Sequence, residues 1–442
     1  MSKSLHCTFV KGAIPAEIER ESILNISTRN VTTQTHGFHK YPAKFIPDIP
    51  RWAIEKYLNG EKGQTILDPF CGSGTTLVEG VLAGHNVIGI DVDPLSLWIS
   101  KVKTTRLDMA HLVGISAWLI KGIKTGTKGG FKPECETVGH WFSADAIAKL
   151  SILRGLINEI PDKFGTNRKT KDIQDLLMIC FSSIIRRVSN ADNESQKTYV
   201  SHTKTKQPEQ VNGLFLSQLE MFTRRIAHFS ASVNPKLRKK YVLSSSAASL
   251  EKSLGREKID LAITSPPYIK AIDYIYNQMV ELFWVGDWFE MQTQEKQNSQ
   301  KGKYIGNKSM GKSEFADYTP YENPLGIDGL DEKLQQVFDT DQKNGHRHSY
   351  VAFKCFSDME KHFYQIKKCL QKETHYVVVV GDSSVSGVYF ETADFIMQIA
   401  QRNGFTNINQ WGYKIKNRYM RFDRKGRGGI IKIDRVLDFE KK

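Results

Sequence analysis

The sequence predicts an α/β fold built on a doubly wound, mostly parallel sheet. The stretch GQTILDPFCGSGTTLVEGVLAGHNVIGIDVDP, from Gly63, has the order strand, glycine-rich loop, helix, strand. A third apolar strand ends at SPPY, from Ser265. A fourth apolar run, HYVVVVGD from His375, lacks polar alternation, which is typical of a parallel strand buried on both faces. Strands of this kind, alternating with helices, indicate helices on both faces of one sheet.

Length and composition limit the class of protein. The 442 residues, 40% of them hydrophobic, suffice for one large domain with insertions or for two domains. The formal charge of +14 attracts polyanions, which makes nucleic acid the leading partner class. No segment has the pattern of a secretion signal or a membrane span, so we expect a cytoplasmic protein with no membrane partner. The six cysteines have no metal-ligand spacing, so we expect reduced thiols and no metal.

The chain divides into four predicted parts. Residues 1–35 are a polar N-terminal arm, and residues 36–106 begin the main domain. Residues 107–240 form a mainly helical insertion, which fits either a clamp on nucleic acid or a subdomain that packs against the sheet. Residues 241–442 complete the main domain and contain a polar insertion at about 290–348. That second insertion is either a recognition loop or a mobile segment that orders on the partner.

The glycine-rich loop indicates a ligand site. Small residues from Gly72 to Gly74 let the backbone approach a ligand and place free amides at a helix N-terminus. Asp91 ends the next strand, where its carboxylate can accept both hydroxyls of a ribose. The loop lacks the spacing of dinucleotide and P-loop motifs, and Asp68 ahead of it suits an ammonium group better than a phosphate. We therefore predict a nucleoside cofactor.

Four segments together carry a family resemblance. DPFCGSGTT (from Asp68), IGIDVDP (from Ile88) and TSPPY (from Thr264) resemble the cofactor motif, the ribose-binding strand end and the catalytic tetrapeptide of the amino-group DNA methyltransferases, which act on cytosine N4 or adenine N6. HKYPAKFIP, from His39, is similar to the segment that closes over the methionine end of the cofactor in that family. The resemblance covers roughly residues 36–106 and 241–436. It implies a class I methyltransferase Rossmann-like fold, S-adenosylmethionine as cofactor and double-stranded DNA as partner.

The resemblance also implies cofactor contacts for specific residues. They are Lys44, Phe45, Asp68, Phe70, Cys71, Gly72, Ser73, Gly74, Thr75, Asp91 and Asp93. We interpret Cys71 as a small buried residue rather than a nucleophile. Methylation of a cytosine ring carbon needs a cysteine nucleophile, typically after a proline, and none of the six cysteines follows a proline.

The predicted catalytic residues are Ser265, Pro266, Pro267 and Tyr268. An exocyclic amine is a poor nucleophile because its lone pair is delocalised into the base, so an enzyme must fix acceptors around it. The two prolines restrict φ and make a rigid loop, which presents the Ser265 hydroxyl and the Pro266 carbonyl. Tyr268 offers a ring on which a base can stack.

The substrate follows from the same tetrapeptide. A serine in its first position favours cytosine N4 in that family, and adenine N6 stays open as an alternative. The usual acid or amide that contacts the cofactor adenine is replaced here by the serines 244–246. We expect the modification enzyme of a restriction-modification system, with base flipping and a separate restriction endonuclease as cognate partner. An RNA amino-methyltransferase is less expected, because no segment resembles an RNA-binding module.

The stretch WGYKIKNRYMRF, from Trp411, interleaves aromatic with basic residues. This composition suits base stacking combined with phosphate contact. The predicted DNA contacts are Tyr413, Lys416, Arg418 and Arg421. The alternative is a solvated β-hairpin with a charged face.

Overall fold

The computed structural model describes residues 7–442 except 28–30, 43, 127–129, 194–197, 202, 204–205, 245–249, 270–272, 307–310, 341–343 and 417–430. The described part has eleven strands and sixteen α-helices. The strands are β1 Cys7–Lys11, β2 Ile23–Ser27, β3 Thr65–Asp68, β4 Asn86–Asp91, β5 Lys239–Leu243, β6 Leu261–Thr264, β7 His375–Gly381, β8 Ser383–Val385, β9 Val388–Phe390, β10 Phe405–Lys414 and β11 Ile433–Lys441. The helices are α1 Asp48–Leu58, α2 Thr75–Leu82, α3 Pro94–Thr104, α4 Met109–Thr125, α5 Val138–Trp141, α6 Ala144–Asn158, α7 Ile160–Phe164, α8 Arg168–Val188, α9 Val211–Ser232, α10 Leu250–Leu254, α11 Tyr274–Asn277, α12 Met279–Val285, α13 Gln294–Lys301, α14 Leu330–Thr340, α15 Gly345–Cys369 and α16 Thr392–Arg402.

Nine strands form one sheet in the order β1-β2-β10-β11-β7-β6-β3-β4-β5. Strand β11 runs antiparallel to both of its neighbours, and the other pairs of the sheet are parallel. The chain proceeds outward from β3 to β5 and then returns to β6 on the other side of β3. Ligands bind at such a switch in strand order, outside the carboxyl ends of the strands. The predicted doubly wound, mostly parallel α/β fold is confirmed.

Each face of the sheet has its own hydrophobic core. In β7, Val377 and Val379 point into one core, and Val378 and Val380 point into the other. The first core is covered by α1, α2, α3 and the helices of the long insertion, and the second by α14, α15 and α16. Burial on both faces explains why β7 carries valine at four successive positions.

The long insertion packs directly against the first face. Residues 107–240 contain α4 to α9, and α8 contacts α3, which follows β4. The side chains of Ile173, Leu177 and Phe181 on α8 are fully buried in the same core as strand residues of the sheet. The insertion is therefore part of the structure that supports the sheet.

Two segments differ from their predicted character. The segment predicted as a polar arm contributes β1 and β2 to the sheet, where Ile23 and Leu24 pair with β10 and are buried. The polar insertion at about 290–348 buries Ile305, Ile327 and Leu330 in the second core. In both cases a few apolar residues within a polar sequence suffice to attach the segment, and composition averaged over the segment hides them.

The close approach of α15 to α14 predicts a change in stability. A Cβ atom at Gly345 would lie 2.8 Å from the carbonyl oxygen of Val337 and would also meet that of Phe338. Because backbone atoms cannot move aside as side chains do, Gly345→Ala should lower the free energy of unfolding by about 1–3 kcal/mol. The matched control is Gly213→Ala on α9, where a Cβ meets nothing and alanine should be neutral or stabilising by up to about 1 kcal/mol. Thermal unfolding measures both, and a Gly345→Ala protein as stable as the control would contradict this packing.

Candidate cofactor and active site

The glycine-rich loop between β3 and α2 is tightly curled. Gly72 and Gly74 have φ angles of 46° and 78°, in the left-handed region that favours glycine. A Cβ at Gly74 would lie 2.8 Å from Ser100 Oγ, and one at Gly72 would lie 3.1 Å from the Tyr41 ring. Glycine is therefore required both by the turn and by the elements packed around it.

Hydrogen bonds from β4 and α3 hold this loop. The Gly72 amide donates to Asp91 Oδ2 at 2.7 Å. The Ser100 hydroxyl donates to the Gly72 carbonyl at 2.7 Å, and Lys103 Nζ donates to the Ser73 carbonyl at 2.8 Å. Sequence reasoning missed Ser100 and Lys103, although their spacing of three on α3 places both on the same side of the helix.

One pocket lies at the carboxyl ends of β3, β4 and β6, at the switch in strand order. The predicted site residues that line it are Lys44, Phe45, Phe70, Cys71, Gly72, Ser73, Thr75, Asp91, Ser265 and Pro267. The other lining residues are Tyr41, Pro69, Ile90, Val92, Ser244, Tyr274, Lys303, Tyr304 and Ile305. The glycine-rich loop and the SPPY loop, which are far apart in sequence, therefore share one pocket.

Asp93 has a different position from the one predicted. It is fully buried at the N-terminus of α3, where its carboxylate accepts a hydrogen bond from the Leu95 amide at 3.0 Å. The Ser96 hydroxyl and the Gln278 side-chain amide also donate to it, at 2.6 and 2.9 Å. Asp93 does not line the pocket, and its carboxylate caps α3.

Asp68 also lies behind the pocket wall. Its Oδ1 accepts hydrogen bonds from the Thr264 hydroxyl at 2.6 Å and from the Phe70 amide at 3.2 Å. Burial raises the pKa of this carboxyl group to about 6. Asp68 links β3 to the last residue of β6 and does not line the pocket. Gly74 likewise packs against α3 and does not line the pocket.

Asp91 is placed as predicted, at the end of β4 and facing the pocket. Its two carboxylate oxygens accept hydrogen bonds from the amides of Gly72 and Asp93, at 2.7 and 2.9 Å. Burial and the nearby Asp93 carboxylate raise the pKa of Asp91 to about 7. Each oxygen has a second lone pair, so the carboxylate can still accept two ligand hydroxyls.

Three polar groups of the pocket have donor or acceptor capacity left for a ligand. Lys44 Nζ donates to the His36 carbonyl at 3.1 Å, and no described acidic side chain forms a salt bridge with it. Burial lowers the pKa of Lys44 to about 8. The buried Ser73 Oγ and Tyr304 hydroxyl have no hydrogen-bond partner among the described residues. Buried polar groups are normally paired, so these atoms indicate a ligand that carries an anionic group and hydrogen-bonding groups.

A stack of tyrosines forms one wall of the pocket. The Tyr41 and Tyr274 ring centroids are 5.8 Å apart, and those of Tyr274 and Tyr304 are 5.6 Å apart. Sequence reasoning missed Tyr274, which follows the SPPY loop, and Tyr304, which lies within the polar insertion. For Tyr304, an aromatic residue in otherwise polar surroundings was the available signal.

The SPPY loop begins where β6 ends, at Thr264. Ser265 and Pro267 line the pocket, and Pro266 is buried beside it. Tyr268 is half-buried and does not line the pocket. Its hydroxyl donates to Asp434 Oδ1 at 2.8 Å.

The predicted DNA contacts at the C-terminus separate into three cases. Tyr413 is 2% exposed, and its hydroxyl donates to Asp434 Oδ2 at 2.9 Å. The side chain therefore faces the core, and the prediction that it contacts DNA at the surface is wrong. Lys416 is exposed, and its Nζ lies 5.9 Å from the centroid of the exposed Phe9 ring. Arg418 and Arg421 lie outside the described residues.

Burial raises the pKa of the Cys71 thiol well above its ordinary value, which suits a packing role better than a nucleophilic one.

Within the described ranges, no group of three or more His, Cys, Asp and Glu side chains is placed to hold a metal ion. None of the helices in the described part of the chain is both long and apolar enough to cross a membrane.

A doubly wound sheet of this strand order, with a glycine-rich loop and a strand-end carboxylate at its switch point, defines a class I methyltransferase fold. A DNA methylase family model that covers N6 and N4 enzymes matches residues 15–100. The matched stretch contains the glycine-rich loop and Asp91, so this part of the chain is similar to the amino-methyltransferases.

Three relatives illustrate the range of the similarity. The type II methyltransferase M.MvaI of Kocuria varians is 24% identical over 90% of this chain and 87% of its own length. The type II methyltransferase M.BsoBI of Geobacillus stearothermophilus is 26% identical over 63% of this chain and 58% of its own length. A tRNA (guanine(10)-N2)-dimethyltransferase of Methanothermobacter thermautotrophicus is 40% identical, but over 16% of this chain and 19% of its own length.

The ionisation of Asp91 and Lys44 predicts a bell-shaped pH dependence for binding of S-adenosylmethionine, the cofactor that the family implies. Hydroxyl donors favour the ionised Asp91 carboxylate, so affinity should rise as pH increases through about 7. An anionic ligand group favours protonated Lys44, so affinity should fall above about pH 8.

Calorimetric titration from pH 6 to 9 measures this profile. Asp91→Asn should remove the acidic limb, and Lys44→Met should remove the alkaline limb. An alkaline limb that persists in Lys44→Met would belong to the amino group of the ligand and would contradict the assignment of Lys44.

Proposed function

We propose that this protein transfers a methyl group from S-adenosylmethionine to the exocyclic N4 amine of cytosine in duplex DNA. The observation that carries this proposal is the pocket shared by the two loops. Ser73 of the glycine-rich loop and Ser265 of the SPPY loop line the same cavity, so a cofactor held by one loop presents its reactive end to the other.

The chemistry of the pocket fits the proposed cofactor. Lys44 and the Ser73 hydroxyl, which has no partner among the described residues, suit its carboxylate, and the Asp91 carboxylate suits the ribose hydroxyls. The rings of Tyr274 and Tyr304 offer an aromatic surface for the adenine. When bound, the cofactor supplies an electrophilic methyl group on a sulfonium, a reaction for which alignment suffices without a covalent enzyme intermediate.

The SPPY loop orients the amine. The Ser265 hydroxyl and the Pro266 carbonyl accept hydrogen bonds from the two amine protons, which turns the nitrogen lone pair toward the methyl group. The base must leave the duplex to reach this position, and the Tyr268 ring stacks on it there. No described acid other than Asp91 lines the pocket, so we assign catalysis to alignment and hydrogen bonding. The carbon–sulfur bond breaks as the carbon–nitrogen bond forms, and the methylated amine then releases its extra proton to solvent.

The choice of base rests on Ser265. In the family that the motifs resemble, serine in this position favours cytosine N4, and adenine N6 is the alternative that the experiment below distinguishes.

The choice of DNA rests on charge and on the relatives. The formal charge of +14 suits a polyanionic partner. The relative M.MvaI, a type II methyltransferase, matches along 90% of this chain. The relative named as a tRNA enzyme matches along only 16%. We therefore propose a type II modification enzyme that acts beside a separate restriction endonuclease.

Transfer of radioactive methyl groups tests the function. The protein, labelled S-adenosylmethionine and either duplex DNA of its host's composition or tRNA are incubated, and the product is digested to nucleosides. N4-methylcytosine from DNA is the expected product. N6-methyladenine would correct the base, label in tRNA alone would correct the substrate, and no label in either would refute the proposal.

The proposed roles of the SPPY loop predict that its substitutions act on turnover. Ser265→Ala and Tyr268→Ala should lower the single-turnover methylation rate about 100-fold, because misplacement of a reacting group by about 1 Å costs that much. Cofactor affinity should change less than about tenfold, roughly 1.4 kcal/mol. Tyr364→Ala, which removes an exposed ring from α15, is the control and should keep the wild-type rate. A Tyr268→Ala enzyme as fast as this control would contradict the catalytic assignment.

A further inference from the structure

The Tyr268 hydroxyl is held by a carboxylate that the SPPY motif does not include. It donates to Asp434 Oδ1 at 2.8 Å, and the Tyr413 hydroxyl donates to Asp434 Oδ2 at 2.9 Å. Asp434 lies on β11 and is 7% exposed. Both oxygens of one buried carboxylate are thus occupied by phenol groups, one from the catalytic loop and one from the sheet.

The sheet register places this carboxylate directly beside the catalytic loop. Asp434 on β11 pairs with Tyr413 on β10 on one side and with Gly381 on β7 on the other. The three residues form one row across three neighbouring strands, at the carboxyl end of β7. The Tyr268 hydroxyl meets the middle residue of that row.

Gly381 provides the space in which the Tyr268 ring lies. A Cβ atom at Gly381 would lie 3.0 Å from Tyr268 Cε2 and 3.2 Å from Asp434 Oδ1. The ring therefore packs against bare backbone, with its hydroxyl directed at the carboxylate. A Cβ there would also lie 2.9 Å from Ile431 Cγ2, so a larger residue at Gly381 would crowd all three side chains.

The energetics argue that this arrangement has a function beyond stability. A buried carboxylate is costly unless a cation pairs with it, and no described cation forms a salt bridge with Asp434. Burial accordingly raises its pKa despite the two phenol donors. Apolar side chains in this row would stabilise the fold at least as well, but they would leave the Tyr268 ring free to rotate away.

We propose that Asp434 is a positioning residue, which holds the Tyr268 ring in the orientation that stacks on the flipped base. This inference rests on the proposed function. Asp434 does not line the cofactor pocket, and it acts through the Tyr268 hydroxyl. Its loss should therefore lower the rate of methyl transfer and leave cofactor affinity nearly unchanged.

The same strand offers a matched control. Asp438, fully buried on β11, accepts a hydrogen bond from the Tyr57 hydroxyl, and His375 Nδ1 lies 3.1 Å from its other oxygen. Asp438 pairs with Val377 near the amino end of β7, whereas Asp434 pairs with the carboxyl end. Tyr57→Phe and Tyr268→Phe each remove one phenol donor from a buried aspartate of β11, but only Tyr268 belongs to the SPPY loop.

Single-turnover methylation with saturating cofactor and DNA tests the inference. Tyr268→Phe should be roughly tenfold slower than the wild type, with cofactor Kd within about threefold, because the ring remains but its orientation is released. Tyr57→Phe should methylate at the wild-type rate. Asp434→Asn keeps an acceptor for Tyr268 and should retain more activity than Asp434→Ala, in which both phenols lose their partner.

The outcomes separate this inference from the proposed function. If the wild type is active and the Tyr268→Phe and Tyr57→Phe variants methylate at equal rates, the positioning role of Asp434 is overturned and the proposed function stands. A wild type that methylates no base would overturn both. If Asp434→Ala fails to fold, the comparison of the two phenylalanine variants still decides the question.

Discussion

The buried hydrogen bond between Thr264 and Asp68 fixes the relation between the two loops of the site. It joins the end of β6 to the end of β3, and the SPPY loop and the glycine-rich loop begin at the next residues. Neighbouring parallel strands bring the loops to the same edge of the sheet, and this bond sets their separation. In the proposed function, this separation aligns the cofactor with the reacting amine.

Different parts of the fold contact different groups of the site. Helix α3 supports the glycine-rich loop through Ser100 and Lys103. The polar insertion closes the pocket with Tyr304. The β10–β11 pair supports the ring of Tyr268 through Asp434. The nine-stranded sheet thus positions groups that are remote in the sequence. The polar insertion also contributes a residue to the pocket lining.

The sequence predicted those parts of the site that depend on local geometry. The glycine-rich loop, the strand-end Asp91 and the SPPY loop are each set by a few adjacent residues, so their positions followed from the pattern. Asp434 could not be predicted in this way, because it lies 166 residues from Tyr268 and its role depends on strand register. For Tyr413 a signal existed, since it alternates with Trp411 on the buried face of β10, whereas composition alone suggested a surface contact.

The raised pKa of Asp91 has a consequence for the protein without its cofactor. A carboxyl group whose pKa is about 7 when folded, and ordinarily 3.8, binds its proton more tightly in the folded state. Its contribution to stability is therefore largest in acid and declines as pH rises from about 4 to about 7. At neutral pH, the ionised Asp91 carboxylate is buried in surroundings that disfavour its charge when no ligand hydroxyl donates to it. In the proposed function, hydroxyl donors of the cofactor stabilise this carboxylate, so the ligand would also stabilise the folded chain.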